Sequence, residues 1–505
     1  MMSTKDEERE RCEALQTAFF EDRSLIIAAN RGPVTFQTAK DGSRTYTRGS
    51  GGLVTALIGL AQQVESTWIA CGRTDEDLAW ERGEVALSNN AEKLGVQFLS
   101  PEPEAYDGYY NVIANPLLWF LQHSMWDVSR APVIDRATWV AWEEGYKKIN
   151  SLFAEAICET SRSATRRPLV MLQDYHLYLT PRMVRNRLKP KERPALSHFI
   201  HIPWPGPDYW SILPPAMRTA ILEGLLGADL LGFQTQDDAL NFIRTCQRHL
   251  TRVGVKYKQQ RIWYRNHMTY VRSFPISIDV DTLKKQASSE ETATYRKEIE
   301  QFLGDRQLIV RIDRIEPSKN IIRGFQAFQE MLSLYPEHLE RVQFLAMLVP
   351  SRTEVGEYQD YLSDVMAMVG RINASLATAD WEPVRLLVGE KYERALAALQ
   401  CYDALLVNSI VDGMNLVAKE GPIVNERDGQ LVLSERTGAR EQLESAALVI
   451  SPCDIHATAQ ALHKALVMPR SERRQLAAEL RHVAEAQDIN WWLCQQIKAI
   501  VQLEL

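Results

Sequence analysis

Two short runs carry the residue types that chemistry on a phosphorylated ligand requires. In VDGMNLVAKE (Val411–Glu420) an acid, a glycine and an amide crowd the start of an expected helix near Asn415. The first N–H groups of a helix lack internal partners and its dipole is positive at that end, so the position stabilises an anion. Gly413 lets the backbone approach a ligand closely, and Glu420, about one and a half turns further on, would reach a sugar hydroxyl. Taken alone, the same run also reads as a helix start with an Asx-type cap. In RIEPSK (Arg314–Lys319) two cations bracket a proline-fixed loop that follows the apolar run LIVRID. Arginine as a fork and lysine as a point charge suit the two phosphates of a diphosphate, and a solvated basic loop is the plain alternative. Pro350-Ser-Arg352 places another arginine after VQFLAML.

A second group lies in the first half of the chain. Asn30-Arg31-Gly-Pro33 follows the apolar run SLIIAA, and Arg48-Gly-Ser-Gly-Gly-Leu53 leads into VTALIGLAQQV. Gly49, Gly51 and Gly52 form a potential backbone nest for a phosphate or a closely packed sugar. Their spacing is not GxGxxG, which argues against a dinucleotide fingerprint. Aromatic and imidazole material is concentrated in Tyr106–Tyr110, Asn115–Trp119, His123, Asp174-Tyr-His176 and HFIHIPWP (His198–Pro205). Sugars present flat apolar faces ringed by hydroxyls, so this composition suits a sugar pocket. Lone histidines are more often structural, which is the plain reading of His176 and His198. There is no GxSxG elbow and no HExxH helix, and Asp279-Val-Asp281 reads as a turn between domains rather than a metal-binding DxD.

Elements must hold these residues. Short apolar runs alternate with helical patterns from SLIIAANR to TYVRSFPI and again from LIVRIDR to AALVISP, which predicts an α/β chain with parallel sheets covered on both faces. Two doubly wound domains are expected, 1–277 and 278–484, with a helix over 485–505 packing back on the first. Ligands of such sheets bind at the carboxyl ends of the strands, so the two domains are expected to face a central cleft. In 505 residues, 45% hydrophobic and 24% charged with a formal charge of −7, nothing attracts nucleic acid or anionic lipid as a whole. The charged N-terminus and the lack of a spanning apolar run predict a cytoplasmic protein with no membrane partner. The seven cysteines, with no CxxC, read as scattered reduced thiols. Asn373-Ala-Ser375 matches a glycosylation acceptor by chance on this reading.

Taken in order, HIPWP, LLGFQT, the R-x-x-x-S-K pattern of Arg314–Lys319 and DGMNLVAKE resemble the trehalose-6-phosphate synthase family, over nearly the whole chain from about Ser24. The resemblance implies a retaining GT-B glycosyltransferase with two Rossmann-like domains. It would move glucose from a nucleotide-glucose, with UDP-glucose the expected donor, to glucose 6-phosphate, using no cofactor and no metal. Its implied catalytic residues are Asp412, His201, Arg314 and Lys319. Donor contacts would come from Gly51, Gly52, Arg314, Lys319, Met414, Asn415, Leu416, Val417 and Glu420, the last on the ribose. Arg31, Tyr110, Trp119, Asp174 and Arg352 would form the acceptor and phosphate site. Cys71 stands where many members carry a second tryptophan, Gln173 replaces the usual histidine before Asp174, and HIPWPGPDYW replaces HIPFP. These departures lie on the acceptor side and keep alternatives open: glycerol 3-phosphate or a cyclitol phosphate as acceptor, or a catalytically silent sugar-phosphate sensor. Partners are expected to be small molecules, with a homo-oligomer left open.

Overall fold

The computed structural model describes all residues except 1–3, 40, 50–53, 55–56, 59–63, 81, 86–93, 352–355, 390 and 504–505, with backbone alone for 4–9 and 48. The chain divides into two compact units, Met1–Pro275 with Asn490–Leu505, and Ile276–Ile489.

In the first unit the strands are β1 (Arg23–Ala28), β2 (Val34–Thr38), β3 (Arg44–Arg48), β4 (Ser66–Cys71), β5 (Arg82–Val85) and β6 (Leu94–Leu99). They continue with β7 (Arg167–Gln173), β8 (Ala195–Phe199), β9 (Leu230–Phe233), β10 (Gly254–Lys256), β11 (Arg261–Tyr264) and β12 (His267–Ser273). The central strands are buried along their whole length, β9 (LLGF) wholly apolar and β8 (ALSHF) apolar but for Ser197 and His198. A parallel sheet with helices on each side demands that pattern. The large sheet has the order β10-β11-β12-β9-β8-β7-β1-β4-β6-β5. From β6 to β9 this is a doubly wound Rossmann-like order, reversing between β1 and β7. It is not parallel throughout, as the sequence reading expected: β5 runs antiparallel to β6, and β10, β11 and β12 form an antiparallel edge. β5 and β10 are short and largely open to solvent, and β11 alternates between buried and more open positions. β2 and β3 form a separate antiparallel hairpin.

The second unit holds β13 (Gln307–Arg314), β14 (Val342–Val349), β15 (Val384–Val388), β16 (Ala404–Val407), β17 (Gln430–Ser434) and β18 (Leu448–Ile450). Their order, β15-β14-β13-β16-β17-β18, is the Rossmann order, and every pairing is parallel. Phe325, Phe328, Phe344, Ile372, Trp381 and Leu462 anchor the core on one face, each large apolar side chain contributing roughly 1.5–3 kcal/mol by burial.

The helix Ile489–Gln502 returns the chain to the first unit. Trp492 is fully buried there, donating its indole N–H to the Phe274 carbonyl at 3.1 Å and meeting the Phe199 ring edge-on at 5.3 Å. Cys494, on the same helix, is bonded to Cys12 on the helix Thr4–Phe20, with a Cα separation of 5.9 Å. This corrects the expectation of reduced thiols throughout, because a pair 482 residues apart leaves no spacing pattern to read. Cys71, Cys158, Cys246 and Cys401 are free and buried, and Cys453 is free and exposed. Among the described residues no helix is long and apolar enough to cross a membrane.

Candidate active site

The winding reverses at two places, and the candidate residues gather at both. In the second unit the reversal falls between β13 and β16, from whose carboxyl ends run the loops Arg314–Lys319 and 408–416. In the first it falls between β1 and β7, followed by Arg31 and Asp174. Crossovers leave such a point in opposite directions, so the strand ends stand open to a ligand.

At the first of these places Lys319 pairs with Asp412 through Nζ and Oδ2. The same oxygen accepts from Asn415 Nδ2 at 3.1 Å and from Ser409 Oγ at 3.3 Å. Both loops are fastened together where Ile410 N–H donates to the Ser318 carbonyl at 2.8 Å. Behind them lies Arg311, a fully buried guanidinium that sequence reasoning missed. It binds Asp313 at 2.8 Å, the Lys319 carbonyl at 2.7 Å and Asn408 Oδ1 at 2.9 Å. Arg314 is exposed and held by buried Glu316 at 2.9 Å, whose same oxygen accepts from Ser351 at 3.1 Å. Asn415 adopts a left-handed backbone, φ 68°. The helix therefore starts at Val417 rather than near Asn415, and runs to Val424. The backbone N–H groups of Leu416 and Val417 have no acceptor among the described residues, which leaves an open, positive helix end. The buried Asn415 Oδ1 also lacks a partner there, the kind of atom a ligand hydroxyl satisfies. Met414 is buried under the turn, its carbonyl accepting from Ala439 N–H at 3.0 Å. Glu420 meets the Tyr392 hydroxyl at 3.4 Å, and burial pushes its carboxyl up to about 7.

At the second place Asp174 also takes a left-handed backbone, φ 68°, strain of the kind that collects at ligand sites. Its Oδ1 accepts the His201 N–H at 3.2 Å, and its carbonyl meets His198 Nε2 at 2.9 Å. His201 is neutral, since burial drives it down to about 3. Its Nε2 is 3.0 Å from Gln173 Oε1 and its Nδ1 3.5 Å from Gln234 Nε2, so both ring nitrogens are engaged. The imidazole is thus a wall rather than a proton carrier in this arrangement. Buried Gln173 keeps its Nε2 without a partner among the described residues.

Residues Gly108–Trp119 wind as a wide π-helix against a second, Ala141–Lys147. The approach is close enough that a Cβ on Gly145 would stand 2.7 Å from the Tyr109 nitrogen. This segment presents Tyr110, stacked between Tyr106 at 5.6 Å and His176 at 5.9 Å. Trp119 instead is buried and stacked on His123 at 3.9 Å, so it offers no open ring face here. Arg31 is exposed, its carbonyl fixed by the Trp68 indole at 3.2 Å. Gly51, Gly52 and Arg352 lie outside the described residues. Away from both places, Glu337, His338 and His463 bring three ligand-type atoms within 4.8 Å, the two imidazoles being bonded to each other at 2.9 Å.

Two Rossmann-like units, one with paired cations and an open helix end, the other with carboxylate, imidazole and stacked tyrosines, define a GT-B glycosyltransferase. The glycosyltransferase family 20 model matches residues 23–502, and the chain belongs to that family. It is 32% identical over 456 residues to an α,α-trehalose-phosphate synthase (UDP-forming) of Schizosaccharomyces pombe, covering 89% of this chain and 85% of that protein. A 56 kDa subunit of the corresponding enzyme from Kluyveromyces lactis is also 32% identical, with 89% and 90% covered. Among solved structures, an E. coli trehalose-6-phosphate protein bound with UDP-2-fluoro glucose superposes with a TM-score of 0.80 at 27% identity, covering 95% of this chain and 98% of that one. A trehalose-6-phosphate synthase structure gives 0.79 at 27% identity, with 95% and 99% covered.

Proposed function

We propose that the protein transfers glucose from UDP-glucose to the anomeric hydroxyl of glucose 6-phosphate with retention, releasing UDP and α,α-trehalose 6-phosphate. The observation that carries this reading is the Lys319–Asp412–Asn415 cluster beside the unpaired N–H groups of Leu416 and Val417, in a chain similar to UDP-forming synthases.

As the bond from glucose to UDP breaks, negative charge builds on the departing diphosphate. Arg314, Lys319 and the helix end supply fixed positive charge for it, which is worth most in a site closed to water. Glu420 holds the ribose. Asp412 already accepts three donors on one oxygen, so it suits a glucose hydroxyl better than attack on the anomeric carbon. Retention then follows a same-face route: a leaving phosphate oxygen takes the acceptor's anomeric proton as the new C–O bond forms and the old one breaks. Asn415 and the neutral His201 bound the transferred glucose. Asp174, Tyr110, Arg31 and Arg352 receive the acceptor; buried Trp119 would have to move to join them.

The test is mass spectrometry of products from UDP-, ADP- and GDP-glucose, each paired with glucose 6-phosphate and with glycerol 3-phosphate. A disaccharide phosphate from UDP-glucose and glucose 6-phosphate is expected. Product from glycerol 3-phosphate alone would overturn the acceptor, and no product from any pair would overturn the activity.

A further inference from the structure

A cavity of about 200 Å³ opens in the first unit, lined by Arg31, Thr35, Cys71, Arg73, Asp77 and Phe98 among others. One water needs only roughly 10–15 Å³ of such space, so a phosphate with part of a carbon skeleton fits. Arg31 leaves the end of β1 and Arg73 the end of its parallel neighbour β4, so the sheet itself brings both guanidinium groups to one wall. Neither makes a side-chain hydrogen bond or ion pair among the described residues. The one carboxylate among the described wall residues, buried Asp77, is committed elsewhere. Its Oδ1 accepts Phe36 N–H at 2.8 Å, and its Oδ2 accepts Arg73 N–H at 3.0 Å and Thr74 N–H at 3.3 Å. Asp77 therefore fixes the backbone turn that presents Arg73 without neutralising its side chain. Two like charges on one concave wall repel each other unless an anion joins them.

A second line leads from Arg73 to the acceptor residues. Tyr106 bonds Asn30 at 3.4 Å, beside Arg31, and stacks on Tyr110. Burial raises the Tyr106 hydroxyl to about 12, and Arg73 is close enough for its charge to pull the other way.

We propose that Arg73 is the first unit's second cation for the acceptor's phosphate, gripping it together with Arg31 across the cavity beside Cys71, and so selecting phosphorylated over free acceptors. This rests on the transferase reading above. Charge-assisted contacts of this kind set the expected size: Arg73→Gln lowers kcat/KM for glucose 6-phosphate about 10- to 100-fold. The KM for UDP-glucose and the slow rate with unphosphorylated glucose stay as they were, and Arg73→Lys recovers part of the loss. An unchanged kcat/KM for glucose 6-phosphate in Arg73→Gln overturns the proposal, as does an equal loss with free glucose. Running glycerol 3-phosphate beside glucose 6-phosphate separates phosphate recognition, which predicts loss with both, from recognition of the hexose. If the unaltered protein turns over no acceptor, the functional reading has failed on its own. Calorimetric binding of glucose 6-phosphate then decides: binding weakened in Arg73→Gln supports the second cation, and binding that is absent or unaltered overturns it.

Discussion

Lys319 and Arg314 are both cations proposed to stabilise the leaving diphosphate, yet their settings differ. Lys319 is mostly buried against Asp412, whereas Arg314 is half exposed on Glu316. Alanine at either position should cost roughly 2–4 kcal/mol of transition-state stabilisation, about 30- to 1,000-fold in kcat/KM. Both variants should also lower the melting temperature, because each takes the cation from a carboxylate, Asp412 for Lys319 and the more deeply buried Glu316 for Arg314. Near-normal turnover in either variant would sink the diphosphate assignment. Glu420 gives a pH prediction. Its carboxyl is raised from 4.5 to about 7, so the fold binds its proton more tightly than the unfolded chain does. Stability from this group therefore falls as pH rises from 4.5 to 7 and levels off above. Only the ionised form accepts from both ribose hydroxyls, so the KM for UDP-glucose should fall between pH 6 and 8. Glu420→Gln should flatten that profile; a profile of the same slope in the variant would remove Glu420 from the donor site. At this scale DGMN and R-x-x-x-S-K were legible because their residues are sequence neighbours. Glu316, Arg311 and the Gln173–His201 pair were not read as a network, since Arg311 reaches as far as Asn408 and Gln173 as far as His201.

At the level of elements, a strand and a loop share one buried cation. Arg311 sits in β13 yet holds the carbonyl of Lys319 and the side chain of Asn408, so it sets where both site loops leave the sheet. Arg311→Met should leave Asp313 buried and unpaired, a loss of about 3–5 kcal/mol, seen as a lower denaturant midpoint with an unchanged m-value. Gly324 should be as intolerant, since a Cβ there would stand 2.2 Å from Arg311 Nη1. A Gly324→Ala protein of unaltered stability would show that Arg311 is free to move. The central strands were legible because a strand covered on both faces must be apolar throughout. β17 was not, for its apolar core QLVLS follows the polar run NERDG. β5, β10 and β11, in the antiparallel edges, are too short to stand out, whereas β12 was legible in TYVRSFPI.

For the whole molecule, the bond between Cys12 and Cys494 joins helices from opposite ends of the chain within one unit. Thiol titration of the denatured, unreduced protein should find five groups, rising to seven after reduction. Cys12→Ser should lower stability by about 2–4 kcal/mol without changing the fold; seven reactive thiols before reduction would contradict the bond.

The same arrangement governs the order in which the protein can be made. The first unit is interrupted by Ile276–Ile489 and completed only by the residues that follow. At roughly 5–20 residues per second, a ribosome spends roughly 10–40 s between releasing Pro275 and releasing Trp492. For that interval, in which the second unit is itself being made, the nascent first unit displays the uncovered slot for Trp492, with Phe199 at its wall. Synthesis therefore leaves an apolar surface of the first unit uncovered until the helix Ile489–Gln502 arrives to close it.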